Sequence, residues 1–412
     1  MPSILFVHEN YPAQFGILAG VLAKQGWQVV YATQKETLPA DTSRRLDSGV
    51  HLIRYSRARE PRDDTHPYLR GTETAVLNGQ GFARTAVGLS KSGFTPDIIV
   101  AHSGWGSGSF AKVVWPQAKF VQYLEWWYRY PPVDVDPATL DPKTAEDRHA
   151  RTLARNLPFM LDFQQSDLII APTQFQADQM PDFVQSKLVV QHDGVDCDMF
   201  RPAAPDDTAF DHPNLPQDAK IVTFATRGME PARGFPTFME AAARILKQRA
   251  DIHIVIAGGE KSHYGPAPKD HDSWKAKALA EHDFDMTRLH FTGLLRKDLY
   301  AQVLRRSSAH VYLTQPFVLS WSFIEAMASA APLICSDVPP VIEAIGDDTC
   351  ARIGPGANPD RVYADIVWCL DNPEAAQAMG ARARDRAVER FSSSICHTAL
   401  KQHFEKMIVH RP

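Results

Sequence analysis

The chain is short of cysteine and of long apolar runs. Its five cysteines (Cys197, Cys335, Cys350, Cys369 and Cys396) are scattered, with no C-x-x-C pair and no metal-ligand spacing. That excludes a disulfide scaffold and suits a reducing compartment, with the thiols acting as small core residues. No apolar run reaches the roughly 18 residues that a membrane span needs. The stretch Pro2-Ser3-Ile4-Leu5-Phe6-Val7-His8 is too short and too weakly charged for a signal peptide, and reads as a first strand. A cytoplasmic protein is expected. Charge of one sign is also lacking: a formal net charge of −4 gives no electrostatic case for nucleic acid. There is no low-complexity tract and no short repeat. Several catalytic signatures are absent as well. The chain has no G-x-S-x-G elbow, P-loop or H-E-x-x-H, and its 16 histidines form no ligand cluster, so neither a metal nor a cofactor is expected.

What is present is ordinary globular material: 412 residues, 44% apolar and 22% charged, enough for two or three domains. Short apolar runs alternate with helical patterns. Strands are expected at 3–7, 27–32, 51–55, 97–101, 119–124, 167–171 and 188–191, with helices between several of them, as at 14–24 and 73–89. The turn Asp193-Gly194-Val195-Asp196 and the proline-rich stretch from Pro202 to Pro216 mark a domain boundary. The alternation then restarts, with strands at 221–226, 252–257, 289–292, 309–313 and 332–335. Phe235, Phe238, Met239, Ala242 and Leu246 form one helical face. This pattern predicts an α/β protein of two doubly wound parallel-sheet domains facing one another across a cleft. The expected division is 1–195, 196–390 and a last helix within 391–412 crossing back to the first domain.

Candidate chemistry lies where strands end. Arg227-Gly228-Met229-Glu230-Pro231-Ala232-Arg233-Gly234 follows the first strand of the second domain. Two guanidinium groups there suit a diphosphate, through paired charge-assisted hydrogen bonds. The bland alternative is a pair of solvated arginines, one of them paired to Glu230. The segment Gln315-Pro316-Phe317-Val318-Leu319-Ser320-Trp321-Ser322-Phe323-Ile324-Glu325 leads from a strand into a helix, an arrangement that presents amides to a phosphate. Glu325 takes sugar hydroxyls, as on a ribose, or only complements the helix dipole. The turns at Gly258-Gly259 and Gly293-Leu294 bring backbone to a ligand or simply close a bend.

In the first half, the segment from Val7 to Gly16 lacks the G-x-G-x-x-G fingerprint, which argues against a nicotinamide or flavin site. His102 and Glu125 follow neighbouring strands and would share one sheet edge. The aromatic and proline-rich segment 126–142 either lines an acceptor platform or packs on its own domain. Arg54, Arg57, Arg59 and Arg62 form a basic run that suits weak contact with anionic lipid, or a solvated face.

Taken together, these residues resemble a retaining glycosyltransferase of family 4, with the GT-B architecture of two facing Rossmann-like domains. Gly194-Val195-Asp196 with Phe200 and Pro202 is similar to the family's linker. Arg227 and Arg233-Gly234 match its arginine–lysine clamp, with arginine in place of lysine. Phe323-Ile324-Glu325-Ala326-Met327-Ala328 matches its L-E-A-M-A segment, and Pro339 and Glu343 the loop after it. The wording around Arg227 and Glu325 resembles a bacterial subgroup of cell-surface polysaccharide assembly.

The resemblance implies a nucleoside-diphosphate-sugar donor with its diphosphate on Arg227 and Arg233 and its ribose on Glu325. Backbone near Gly16, Gly259, Leu294, Ser320, Trp321 and Ser322 would assist. The acceptor would be a glycan, a lipid-linked molecule or a small molecule, met in the cytoplasm or at the inner face of the membrane. Two departures stand out. Phe317 occupies the position of the family's first glutamate, and Glu125 that of a histidine, so either Glu125 or His102 would contact the transferred sugar. The competing readings are a nucleotide-sugar epimerase of the same fold and a non-catalytic nucleotide-binding subunit of a glycan assembly complex.

Overall fold

A strand buried along its whole length needs cover on both faces, which parallel winding with crossover helices supplies. Strand β1 (Ser3–His8) is of this kind, buried at all six positions. The structure is a computed structural model describing residues 1–38, 42–135, 138 and 140–409. In it the chain divides into two compact units, Met1–Asp193 with the segment from Cys396 onward, and Gly194–Ile395.

In the first unit β1 is followed by β2 (Gln28–Thr33), β3 (Ser43–Arg45), β4 (His51–Arg54), β5 (Ile98–His102), β6 (Lys119–Tyr123), β7 (Leu168–Ala171) and β8 (Leu188–Val190). They form one sheet in the order β3-β4-β2-β1-β5-β6-β7-β8. Only β3 runs antiparallel, to β4. The connecting helices are α1 (Gly16–Lys24), α2 (Arg70–Lys91), α3 (Ala111–Val114), α4 (Ala145–Arg155), α5 (Leu157–Gln165) and α6 (Gln174–Ala177).

The second unit carries β9 (Lys220–Gly228), β10 (Ile252–Gly259), β11 (Leu289–Gly293), β12 (Ser307–Tyr312), β13 (Leu333–Ser336) and β14 (Arg352–Gly354). Their order is β11-β10-β9-β12-β13-β14, and every pairing is parallel. Helices α7 (Phe235–Gln248), α8 (Trp274–Glu281), α9 (Lys297–Arg305) and α10 (Trp321–Ala328) come first. Then follow α11 (Pro339–Ile345), α12 (Pro359–Asp371) and α13 (Pro373–Phe391). The last helix, α14 (Ser393–Val409), places Leu400 and Phe404 in the core of the first unit with Ile4 and Phe6.

The strands differ from the sequence reading mainly at their ends. β9 continues through Arg227 to Gly228, so that arginine sits on the strand and not in the loop after it. The helix expected over 323–330 begins at Trp321, capped by the Ser320 hydroxyl, which accepts from the Ser322 amide. Pro339 and Glu343 lie on α11 and not in a loop. The edge strands β3 and β14, three residues each, have no apolar alternation to betray them.

The core of the second unit is built on the stripe read from the sequence. Phe235, Phe238, Met239, Ala242 and Leu246 are all buried on α7, and Phe238 stacks on Phe224 of β9 with centroids 4.6 Å apart. Replacing Phe238 by Ala removes a fully buried ring and should cost about 3–5 kcal/mol. A loss below about 1 kcal/mol in denaturant unfolding would contradict this account of the packing.

Candidate functional site

Strand β9 and helix α10 bring the candidate residues of the second unit together. Arg227, Arg233, Ser320 and Ser322 line one small pocket with Thr226 and Tyr312, about 30 Å³ in water-accessible volume. Gly234 fixes the approach. It is left-handed, with φ of 65°, and a Cβ there would lie 2.3 Å from Leu313 Cβ, so no other residue lets the chain turn from Arg233 into α7. Among the described residues neither arginine forms an ion pair with a carboxylate. Arg233 donates to the Thr314 hydroxyl at 3.0 Å and lies over the Tyr264 ring at 5.2 Å. Two guanidinium groups without counter-charge at the head of a helix make a site for a dianion.

Glu230 is not the partner of either arginine. Its buried carboxylate accepts from the backbone amides of His263 and Tyr264, the second at 2.8 Å. It thereby pins the loop carrying Tyr264, whose ring meets the edge of Phe317 at 5.2 Å. Where the family resemblance implies a sugar-binding acid, the structure has an aromatic pair beside Arg233.

Glu325 lies in the second turn of α10, whose first turn has no acid, so the dipole reading does not hold. The side chain is buried and forms an ion pair with Lys297, which is 60% exposed. Burial raises its pKa, and the Lys297 ammonium opposes that rise. Trp321 lies 5.4 Å beneath the same ammonium. Gly259 and Leu294 stand side by side at the ends of β10 and just after β11, with Leu294 75% exposed. The glycine required by close approach is Gly258, where a Cβ would lie 2.0 Å from the Thr226 carbonyl.

In the first unit the two candidates meet. His102 Nε2 lies 3.4 Å from Glu125 Oε2, and the Gln14 amide donates to Glu125 Oε1 at 2.7 Å. Burial pushes the Glu125 pKa up, but the hydrogen bond and charge of His102, with Gln14 and His8, outweigh it and lower it. His8 joins this cluster, its ring 4.7 Å from that of His102 and its Nδ1 accepting from the Asn10 amide. Burial, followed by the neighbouring His102, lowers the His8 pKa to about 3. Glu9 sits alongside, accepting from Asn78 at 2.8 Å. Gly16 opens α1, and its amide is already bonded to the Pro12 carbonyl at 2.7 Å, so that amide is committed to the loop.

Sequence reasoning missed Lys297, the clamp made by Glu230, Tyr264, and the roles of His8 and Gln14. Lys297 and Glu325 are 28 positions apart and on different helices, so no local spacing announces them.

Two parallel-sheet α/β units, each with polar residues at strand ends, define a protein of the GT-B class. A model described as "Glycosyl transferase family 4 group" matches residues 25–200, and one described as "Glycosyl transferases group 1" matches 206–386. Together they take in most of the chain, which belongs to the GT-B glycosyltransferases of the family 4 type. D-inositol 3-phosphate glycosyltransferase of Streptomyces avermitilis is 27% identical over 232 residues, 55% of this chain and 49% of the relative. Phosphatidyl-myo-inositol mannosyltransferase of Mycolicibacterium smegmatis is 26% identical over 196 residues, 46% of each. The match thus spans about half the length of these curated relatives.

Among solved structures, sucrose-phosphate synthase from Thermosynechococcus elongatus aligns over 100% of both chains, with a TM-score of 0.75 and 17% identity. HepE of Anabaena, solved with UDP-glucose, aligns over 98% of this chain and 100% of its own, with a TM-score of 0.68 and 13% identity. At that identity the likeness establishes the fold alone.

The buried His8 gives this site a pH signature. Its folded pKa lies below the unfolded value of 6.5, so its contribution to stability is complete above that pH and is lost as pH falls toward 3. The slope is at most about 1.4 kcal/mol per pH unit. His8→Asn keeps an acceptor for the Asn10 amide and should lose less stability between pH 7 and 4 than the unsubstituted protein. Equal losses in urea unfolding would refute the assignment.

Proposed function

We propose that the chain transfers a sugar from a nucleoside-diphosphate sugar to an acceptor hydroxyl. The observation that carries this is the pair Arg227 and Arg233, facing one pocket with Ser320 and Ser322 and meeting no carboxylate among the described residues. In the reaction the bond between the anomeric carbon and the departing phosphate breaks through an oxocarbenium-like transition state. The acceptor oxygen bonds to that carbon, and its hydroxyl proton passes to the departing phosphate. The two guanidinium groups stabilise charge growing on the diphosphate, so the positive charge this step needs is available from side chains.

Glu325 takes the ribose hydroxyls by displacing the Lys297 ammonium or sharing the carboxylate with it. The buried carboxyl and the mobile reach of a lysine support that exchange. His102 and Glu125 hold hydroxyls of the transferred sugar or the acceptor. Retention at the anomeric carbon, and a role in cell-surface polysaccharide assembly, are supported by the sequence resemblance. UDP is the first nucleotide to try, because HepE, of the same fold, was solved with UDP-glucose.

A second reading is favoured by one observation. The Phe317–Tyr264 pair stands where the family resemblance implies a sugar-binding acid. A nucleotide-binding subunit without turnover would bind UDP or GDP and release no sugar from any donor.

Arg227→Ala should lower transfer by about 10²–10³ while the unfolding midpoint is unchanged. Glu325→Ala should weaken nucleotide binding by calorimetry. Turnover of UDP-glucose or GDP-mannose that survives Arg227→Ala at full rate would sink the clamp. Product formed without any acceptor would point to an epimerase instead.

A further inference from the structure

A cavity in the first unit is lined by the segment that follows Glu125 and by helix α4. It has a water-accessible volume of about 240 Å³, against about 30 Å³ beside Arg227. Its walls combine two chemistries. Trp126, Tyr128 and Val133 give it aromatic and apolar faces, and Arg129, Arg151 and Arg155 bring three guanidinium groups.

The walls are fixed before any ligand arrives. Asn156, buried next to Arg155, accepts from the Tyr128 amide at 3.2 Å and donates to the Tyr128 carbonyl at 2.7 Å. Trp127 packs on Phe159 and Phe163, at 5.8 and 5.4 Å. The segment 126–129 is therefore held in place, and Trp126, packed against Phe175, and Tyr128, packed on Phe159, line the cavity.

The charges are only partly balanced. Arg151 is neutralised by Asp147 at 2.6 Å. Arg129 donates to the Asp178 carbonyl at 3.3 Å, and Arg155 lies over the Tyr128 ring at 3.6 Å. Among the described residues neither of these two forms an ion pair. A guanidinium lying over a ring uses its face and keeps its in-plane N–H groups for an anion. Asp134 is the one acid among the described lining residues. Helix α4, which supplies Arg151 and Arg155, buries none of its side chains and also exposes Leu153 at 61%.

We propose that this cavity binds a phosphate-bearing ligand with an apolar or ring-shaped remainder, the phosphate held by Arg129 and Arg155 and the remainder by Trp126, Tyr128 and Val133. Guanidinium groups that form no ion pair stay available to an anion, and the rings favour a remainder that packs against them. Free sugar phosphates and phosphorylated lipids share this chemistry. Reading the ligand as the acceptor rests on the proposed transferase activity; the binding does not.

Calorimetric titration of the whole chain tests it with octyl phosphate and glucose 6-phosphate against octyl glucoside, glucose and inorganic phosphate. At least one phosphate-bearing probe should bind more tightly than both its neutral counterpart and inorganic phosphate. Octyl phosphate alone would identify a lipid source, and glucose 6-phosphate alone a sugar phosphate. Arg155→Gln should weaken that binding by about tenfold or more, and Arg129→Gln, in a loop, should do likewise. Both variants should leave the unfolding midpoint and UDP binding unchanged, and Arg227→Ala should leave octyl phosphate binding unchanged. The proposal is overturned if neither phosphate-bearing probe binds, if the neutral compounds bind equally, or if both arginine variants bind like the parent. A loss seen only in Arg227→Ala overturns it too, by assigning the anion to the other pocket, and the transferase reading would survive that result.

Discussion

Parallel winding is the constraint on which both units depend. Each crossover returns the chain to the same end of the sheet, so every strand but β3 finishes at one edge. Residues far apart in sequence are thereby delivered to a common line: His8, His102 and Glu125 from β1, β5 and just after β6, and Arg227 and Ser320 from β9 and the turn after β12. The buried strands leave no choice of face, because their side chains are enclosed on both sides. Only at the strand ends is there freedom to place polar groups, and that is where the candidate chemistry has collected.

The two clusters solve the electrostatic problem of polar residues at a sheet edge in opposite ways. In the first unit charge is internally satisfied: Glu125 is met by His102 and Gln14, and His8 is kept neutral by burial. In the second, Arg227 and Arg233 meet hydroxyl, ring and solvent but no described carboxylate. Glu230, which lies between them in sequence, instead uses one carboxylate oxygen, Oε2, to accept from two backbone amides. The pocket keeps its cationic character while the acid between the two arginines in sequence holds a loop in place.

Much of the architecture was legible in the sequence, because buried parallel strands read as apolar runs and α7 as a stripe of period 3.6. The short edge strands β3 and β14 were not, since a strand of three residues that is exposed or only half-buried carries no such run. At the site, residues following strands could be named, and the structure brings Arg227, Arg233, Ser320 and Ser322 to one pocket and His102 to Glu125. What could not be read were pairings across elements. Lys297 with Glu325, Glu230 with the 263–264 backbone and Tyr264 with Phe317 are set by how helices and loops lie on the sheet. The dipole role considered for Glu325 failed because the helix starts earlier than its apolar residues suggest, which moves the acid into the second turn.

Under the ribose-binding role proposed for Glu325, the Lys297 ammonium occupies the place of the guest. It lies over the rings of Phe200 and Trp321, 5.6 and 5.4 Å from their centroids, where it meets a buried carboxylate. Whatever displaces that ammonium sets free a side chain carrying about 2 kcal/mol of rotamer entropy. Occupation of the site would then release disorder locally even as it orders the guest, offsetting part of the immobilisation that binding otherwise imposes.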